Sequence, residues 1–252
     1  MTKPNYEPLS NAPYVDFSVE DTGENYRSTD WDLVLNSATI SDAEARKYAV
    51  VVPGRDGTLD LSDALGGVYY ENRKIEIRFY CVNYTLERFH LLASTLRNAL
   101  DGKVTRVTFG DDLAYFWRGR PQVGAEWGGL NYSIITLTLD AEPYKYNIIG
   151  SYDPWRWDPF NFVTGVVTQA SDVTLSNNTV TVTLPIDPAR GKPTLWLNTG
   201  TARARLSADS TWRTLKSGAN VFPEIRMSDK QAVTLVLNGN GSVGVDYRVG
   251  SL

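Results

Sequence analysis

Only one stretch of this chain repeats its apolar residues at helical spacing, and this constrains the fold more than any other feature. In Leu86–Leu100 the residues Leu86, Phe89, Ala93, Leu96 and Leu100 form one apolar stripe of a 3.6-residue period. Thr85 is placed as its N-cap, Glu87 is favourable in the first turn, and Gly102 is placed to cap the C-terminus. Such a helix packs on a sheet. Elsewhere the first half alternates apolar and polar residues in short runs. In residues 74–82, Ile75, Ile77, Phe79 and Cys81 alternate with Glu76, Arg78 and Tyr80, the period of a strand with one buried face. Further strands are predicted over 32–35, 48–52, 104–109, 114–119 and 133–140.

The composition shifts after Glu142-Pro143-Tyr144-Lys145-Tyr146. Residues 148–162 are rich in aromatics, Pro and Asp and read as an ordered linker or the first coil of a second domain, with Trp155 and Trp157 pinning it. Beyond them no helical stripe remains. Strands are predicted over 173–175, 179–184, 194–197, 202–206, 212–215, 233–237 and 243–249, separated by turn signals such as Gly239-Asn240-Gly241. Val180, Val182 and Leu184 alternate with Thr, as in a β-sandwich. The chain therefore reads as mainly β with one helix, in two domains, 1–147 and 148–252.

Chemistry is scarce. The 252 residues include one His and one Cys, so zinc sites, His-based triads and intrachain disulfides lack parts. His90 lies in the helix and Cys81 on a strand. No Walker loop, GxGxxG or GxSxG occurs. Asp56, Asp60 and Asp63 lack the order of a calcium loop and its terminal Glu, and Asp111-Asp112 reads as a turn. No catalytic, cofactor or metal residue is assigned. A net charge of −4, with Lys and Arg scattered, gives no basic footprint for nucleic acid. No apolar run approaches a membrane span, and MTKPNYEPLSNAPYVDF carries no apolar leader core. Trp196 and Trp212, on strand candidates of the second domain, are candidate saccharide contacts, with core packing the competing role for each.

The stretch VVVPGRDGTLDLSD, residues 50–63, reads as a hairpin. Asp56-Gly57 suits a two-residue type I′ turn, whose central residues need positive φ. Pro53 on one arm argues for an edge position, and an edge is either blunted against partners or offered to one.

In order along the first 146 residues, several short motifs resemble the distal tail proteins (Dit) of long-tailed siphophages and related prophages. They are Asp30-Trp31-Asp32-Leu33; Val52-Pro53-Gly54-Arg55-Asp56-Gly57 with Leu59-Asp60-Leu61; Tyr69-Tyr70-Glu71-Asn72-Arg73; Leu100-Asp101-Gly102-Lys103; Tyr115-Phe116-Trp117-Arg118-Gly119-Arg120; and Ala141-Glu142-Pro143-Tyr144-Lys145. Asp32 stands where such proteins usually carry Gly. The resemblance implies an N-terminal β-sandwich-like domain with one packed helix and a projecting hairpin, and a C-terminal galectin-like β-sandwich. It implies a non-enzymatic subunit of a hexameric ring that joins the major tail tube protein to the tail-tip hub protein. The ring leaves a channel for DNA, which passes without specific binding. The second domain would hold receptor-binding or other baseplate proteins. The expected location is the distal end of the tail in the virion, after assembly in the bacterial host cytoplasm, with no membrane partner and no cofactor. Candidate inter-subunit contacts are Arg55, Asp56, Gly57, Asn72 and Arg73. The alternative is a carbohydrate-binding or receptor-binding module acting through the C-terminal sandwich.

Overall fold

Alternating strands and the single helical stripe build the first half of the molecule. The computed structural model describes residues 13–152 and 172–252, apart from 63, 65, 66, 83, 130 and 131. The expected linker tryptophans Trp155 and Trp157, and Asp63 of the hairpin, lie outside the described residues. The chain divides into two compact units. One comprises Met1–Asp112 with Trp117–Pro143, the other Leu113–Phe116 with Tyr144–Leu252.

The strands of the first unit are β1 (Val15–Val19), β2 (Asn25–Arg27), β3 (Leu33–Ile40), β6 (Arg73–Cys81), β7 (Thr105–Phe109), β8 (Tyr115–Glu126) and β9 (Ser133–Asn147). They form one sheet in the order β2-β1-β7-β8-β9-β6-β3. β4 (Ala49–Val51) and β5 (Thr58–Asp60) form a separate two-stranded sheet. Between β2 and β3 a 3-10 turn, Ser28–Trp31, ends on Asp32 in the left-handed region, at φ 52°. Tyr26 stacks on Trp31, and Tyr84 donates its hydroxyl to the Trp31 carbonyl at 2.9 Å.

The helix α1 spans Leu86–Leu100, with the Thr85 hydroxyl accepting the Arg88 N–H. Gly102 follows with φ +68°, as a C-terminal cap requires. The helix buries Phe89, Leu92, Ala93, Leu96, Ala99 and Leu100. Leu86, expected in the stripe, is 48% exposed. The helix packs in one core with Val15, Phe17 and Val19 of β1, Ile75, Ile77 and Phe79 of β6, and Ile135, Leu137 and Leu139 of β9. Each such side chain contributes roughly 1.5–3 kcal/mol by leaving water.

The second unit is built on long strands. β10 (Val173–Leu184), β11 (Thr194–Leu206) and β14 (Val233–Asp246) pair with two short strands, β12 (Arg213–Thr214) and β13 (Gly218–Asn220), in a five-stranded antiparallel sheet. Each long strand joins two strands that the sequence predicts separately. A bulge at Asn177, with φ 57°, carries β10 across its Ser-Asn-Asn interruption. Gly239-Asn240-Gly241, expected as a hairpin turn, lies within β14 instead. A Cβ at Gly239 would collide with the Thr201 carbonyl, and one at Gly241 with the Thr199 carbonyl. Glycine there keeps the strands paired. The core comprises inward residues such as Leu175, Leu184, Leu195, Leu235, Leu237 and Val245. The last strand, β15 (Gly250–Ser251), pairs with Tyr146 and Lys145 at the end of β9. Asp187, fully buried, secures it by accepting N–H groups from Ala189, Gly191 and Gly250 at 3.1, 2.6 and 2.8 Å.

Candidate functional site

Residues 41–72 leave the main sheet between β3 and β6 as one extended arm. Ser41 donates its N–H to the Lys74 carbonyl at 3.0 Å, Ala45 bridges Tyr70, and Arg46 donates to the Tyr69 carbonyl at 2.8 Å. Then β4 and β5 pair Ala49 with Asp60, Val50 with Leu59 and Val51 with Thr58. Leu61 donates to the Tyr48 carbonyl, and Tyr48 to the Ser62 hydroxyl. The Ser62 hydroxyl and N–H hold the Asp60 carboxyl below the ordinary carboxylate range.

The tip corrects the expected turn. Its connection is Val52 to Gly57, so Asp56-Gly57 is not the centre of a two-residue type I′ turn. Arg55 donates its N–H to the Val52 carbonyl at 3.2 Å, and Gly54 has φ +80°. Proline at the second position and a left-handed glycine at the third make this a type II turn. Gly57 has φ +75°, so the expectation of positive φ holds there, while Asp56 is not among the positive-φ residues. Arg55, Asp56 and Gly57 are all exposed at the tip. The arm also exposes Tyr48 (69%), Val51 (75%), Val50, Val52, Val68 and Tyr69. A two-stranded hairpin is marginal in water by itself, and among the described residues β4 and β5 pair with no further strand.

Asn72 and Arg73 lie at the arm's other end, where β6 begins. Asn72 donates to the Asp140 carboxylate at 3.1 Å, and the Arg73 guanidinium lies 5.3 Å from the Trp117 ring centroid. The two groups of candidate contacts thus mark the tip and the root of the arm. The root residues also hold the domain's own structure. Beside the root runs β3, the outermost strand. Its eight residues, LVLNSATI, include no charge and no proline, and those from Asn36 to Ile40 are exposed. The opposite edge, β2, is three residues long, and its Arg27 is tied to Asp16 at 2.7 Å. By the usual means of protecting an edge, β2 is blunted and β3 is open.

In the second unit Trp196 stacks on Tyr152, with ring centroids 6.0 Å apart and planes at 18°. Trp196 is half-buried and packed, and it does not share a cluster with Trp212. Trp212 lies against two guanidiniums, Arg203 at 4.6 Å and Arg205 at 4.9 Å from its ring centroid. Sequence reading named Trp212 and missed both arginines, although the alternation Ala202-Arg203-Ala204-Arg205 puts them on one face of a strand.

The ionisable groups are arranged structurally. Cys81 is fully buried and its thiol is pushed up to about 12 by that burial, so it is not nucleophilic. His90 is exposed on the outer side of α1. Among the described residues no group of three His, Cys, Asp or Glu side chains could hold a metal. Glu20 receives Arg106 and Arg118 at 2.8 Å each, and Arg118 also meets Glu142 at 2.5 Å. Burial would raise the Glu20 pKa, but the hydrogen bonds from Arg118 and Arg106 outweigh it and leave the carboxyl lowered. No helix of the described residues is long and apolar enough to cross a membrane.

No family model and no curated protein matches the sequence. Solved structures do match the fold. The Dit protein of phage SPP1, described as a hub adsorption apparatus of phages infecting Gram-positive bacteria, is 12% identical with a TM-score of 0.52. The match covers 94% of this chain and 99% of that one. The baseplate of phage p2 in its activated conformation matches at 10% identity and TM-score 0.41, over 95% of this chain and 98% of that one. The anti-feeding prophage baseplate matches at 13% and 0.27, over 56% and 94%. The ordered motifs of the first 146 residues and the near-complete correspondence with the SPP1 protein agree: this chain has the distal tail protein fold.

Proposed function

We propose that this chain is a non-enzymatic structural subunit of a siphophage tail tip. Copies assemble into a hexameric ring that joins the tail tube protein to the tail-tip hub protein and leaves a channel for DNA. The observation that carries this reading is the correspondence with the SPP1 Dit protein across 94% of this chain and 99% of that one. Both units take part in that correspondence, so it goes beyond a shared small β motif.

Two features of the first unit support self-assembly. The arm carries exposed tyrosine and valine side chains on a two-stranded sheet without a core of its own. Among the described residues β3 has a strand neighbour, β6, on one side only, so its uncharged outer edge offers backbone groups to a partner. A closed ring repeats one head-to-tail contact at every subunit, so an arm docking on a neighbour uses both features in each copy. A net charge of −4 suits a channel through which DNA slides, since basic side chains would hold its phosphates. On this reading the protein is assembled in the bacterial host cytoplasm and resides in the virion at the distal end of the tail. The second unit faces receptor-binding or other baseplate proteins.

Electron microscopy of the purified full chain tests the proposal. Rings with a central hole are expected. Monomers alone over a wide concentration range would overturn it.

A further inference from the structure

The sheet of the second unit has two unlike edges. On one side lie β12 and β13, of two and three residues, and β12 carries Arg213. Short strands and charges blunt an edge. On the other side lies β10, twelve residues long, and among the described residues its only strand neighbour is β14. Its sequence, VTLSNNTVTVTL, holds no charge and no proline. The bulge at Asn177 breaks its first part. From Asn178 to Leu184 every residue pairs in regular register, beginning with Asn178 on Gly239 and ending with Leu184 on Val233. Pro185 follows at once. Over this stretch Thr179, Thr181 and Thr183 are exposed on one face, Val182 and Leu184 are buried on the other, and Val180 is half-buried. Such an edge offers its outward N–H and C=O groups to another strand.

We propose that β10 pairs antiparallel with β10 of a second copy of this chain, about a twofold axis at Thr181. The segment is its own complement. With Thr181 opposite Thr181, Thr179 meets Thr183, Val180 meets Val182 and Asn178 meets Leu184. Threonine then lies against threonine on the outer face and valine against valine on the inner one, both favourable in a sheet. No like charges are brought together. In this register Asn177 of one copy faces Pro185 of the other, so the ladder stops at the same point at both ends. Asn177 leaves the strand conformation at φ 57°, and proline has no N–H to give. A shift of one residue sets Thr against Val and puts the faces out of step. A shift of two runs the bulge or the proline into the ladder. An unrelated strand would need only an uncharged edge; the symmetry about Thr181 selects a second copy. A residue meeting itself is an isologous contact, whereas a head-to-tail ring joins different surfaces. The inference goes beyond the tail-subunit reading and does not depend on ring formation.

Disulfide trapping in the full chain tests it. Directly opposed residues of an antiparallel pair have Cα atoms about 4.5–5.5 Å apart, within the roughly 4.4–6.8 Å that a disulfide spans. The natural thiol, Cys81, is fully buried and stays out of the reaction. Under mild oxidation with copper phenanthroline, Thr181→Cys is expected to run as a covalent dimer on a non-reducing gel, and the parent as a monomer. Thr179→Cys and Thr183→Cys each cross-link poorly alone and readily when mixed. Adding Thr181→Lys to both members of that mixture lowers the cross-linked yield by about 5–10-fold, and giving one member Thr181→Glu instead restores it. All three positions are exposed, so the melting temperature stays near the parent's. A head-to-tail ring contact cannot link position 181 to itself, so micrographs without rings would leave these outcomes unchanged. No dimer from Thr181→Cys, equal cross-linking by Thr179→Cys alone, or no recovery on pairing Lys with Glu would overturn the proposal and assign the edge to another part of the chain or to a different protein.

Discussion

At the level of single residues, the informative positions are those where the backbone departs from ordinary conformations. Gly57 has φ +75°, and a Cβ there meets nothing within 4 Å. Substitution is therefore costly for conformational reasons alone, about 1–2 kcal/mol for an ordinary residue and more for a β-branched one. A domain stable by about 5–15 kcal/mol survives that loss. We expect Gly57→Val to remain folded, with a melting temperature lowered by no more than about 2–8 °C, yet to shift sedimentation velocity profiles toward monomer, because in the proposed ring the strain recurs at every contact. Full assembly with a lowered melting temperature would show that the tip serves only its own domain. Asp32 gives a parallel case. It stands where distal tail proteins usually carry Gly, and its φ of 52° shows why. Aspartate tolerates that region better than most residues, so a thermal melt of Asp32→Gly should differ from the parent by less than about 1 kcal/mol. Asp32→Val should lose more than about 1–2 kcal/mol. Glu20 sets a pH dependence. Its folded pKa is below the unfolded value, so its contribution is present above the ordinary carboxylate range and is lost as pH falls through the folded pKa. Glu20→Gln should therefore cost about 1–3 kcal/mol at neutral pH and flatten the acid limb of the stability curve. An acid limb identical to the parent's would refute this role.

At the level of elements, what the sequence revealed depended on how regular each pattern was. Helix α1 was legible to the residue because its cap, stripe and terminal glycine all agree. Leu96, fully buried, stands at its centre, and Leu96→Ala is expected to lose about 2–5 kcal/mol in chemical denaturation. A loss under about 1 kcal/mol would mean that the helix is not the cover of this core. β1 was legible in principle, since Val15, Phe17 and Val19 alternate with Asp16 and Ser18, but its five residues sit among turn formers. The long strands of the second unit were split because their alternation lapses where they lie side by side. Thr201 pairs with Asn240, and Gly200 with Gly241. A polar, glycine-rich zone across neighbouring strands looks like three turns when each strand is read alone, and its continuity exists only in the pairing. The same limit hid the arginine cluster. Arg203 and Arg205 alternate with Ala202 and Ala204, but only the pairing of β12 with β11 brings Trp212 to them. The turn at the arm's tip was misplaced for a different reason. Pro53-Gly54 and Asp56-Gly57 are both turn signals, and only one can close the loop; proline fixes its own φ and took the type II position.

For the whole molecule, the sequence places a boundary after Tyr146, whereas the two compact units interleave along the chain. Leu113–Phe116 group with Tyr144–Leu252, while Trp117–Pro143 group with the first unit. No local pattern announces this, because β8 and β9 run without interruption through both units. We propose that the first unit nevertheless folds and assembles without the second. Its core, from Val15 to Ala141, is one cluster that includes the helix and, among the described residues, takes none from beyond Ala141. The arm and the open edge of β3 belong to it entirely. A fragment of residues 1–147 gives up the ties that hold the end of β9 in the second unit, where Gly250 pairs with Tyr146 and Arg248 donates to the Asn147 carbonyl. It also leaves Tyr115 and Phe116 without that unit. These losses fray the ends of two strands and leave the helix-covered core intact. The fragment is therefore expected to unfold in one cooperative transition, and light scattering should find it assembled at concentrations where the full chain is assembled. A fragment that is unfolded, or folded but strictly monomeric beside an assembled full chain, would mean that the second unit supplies part of the self-association surface.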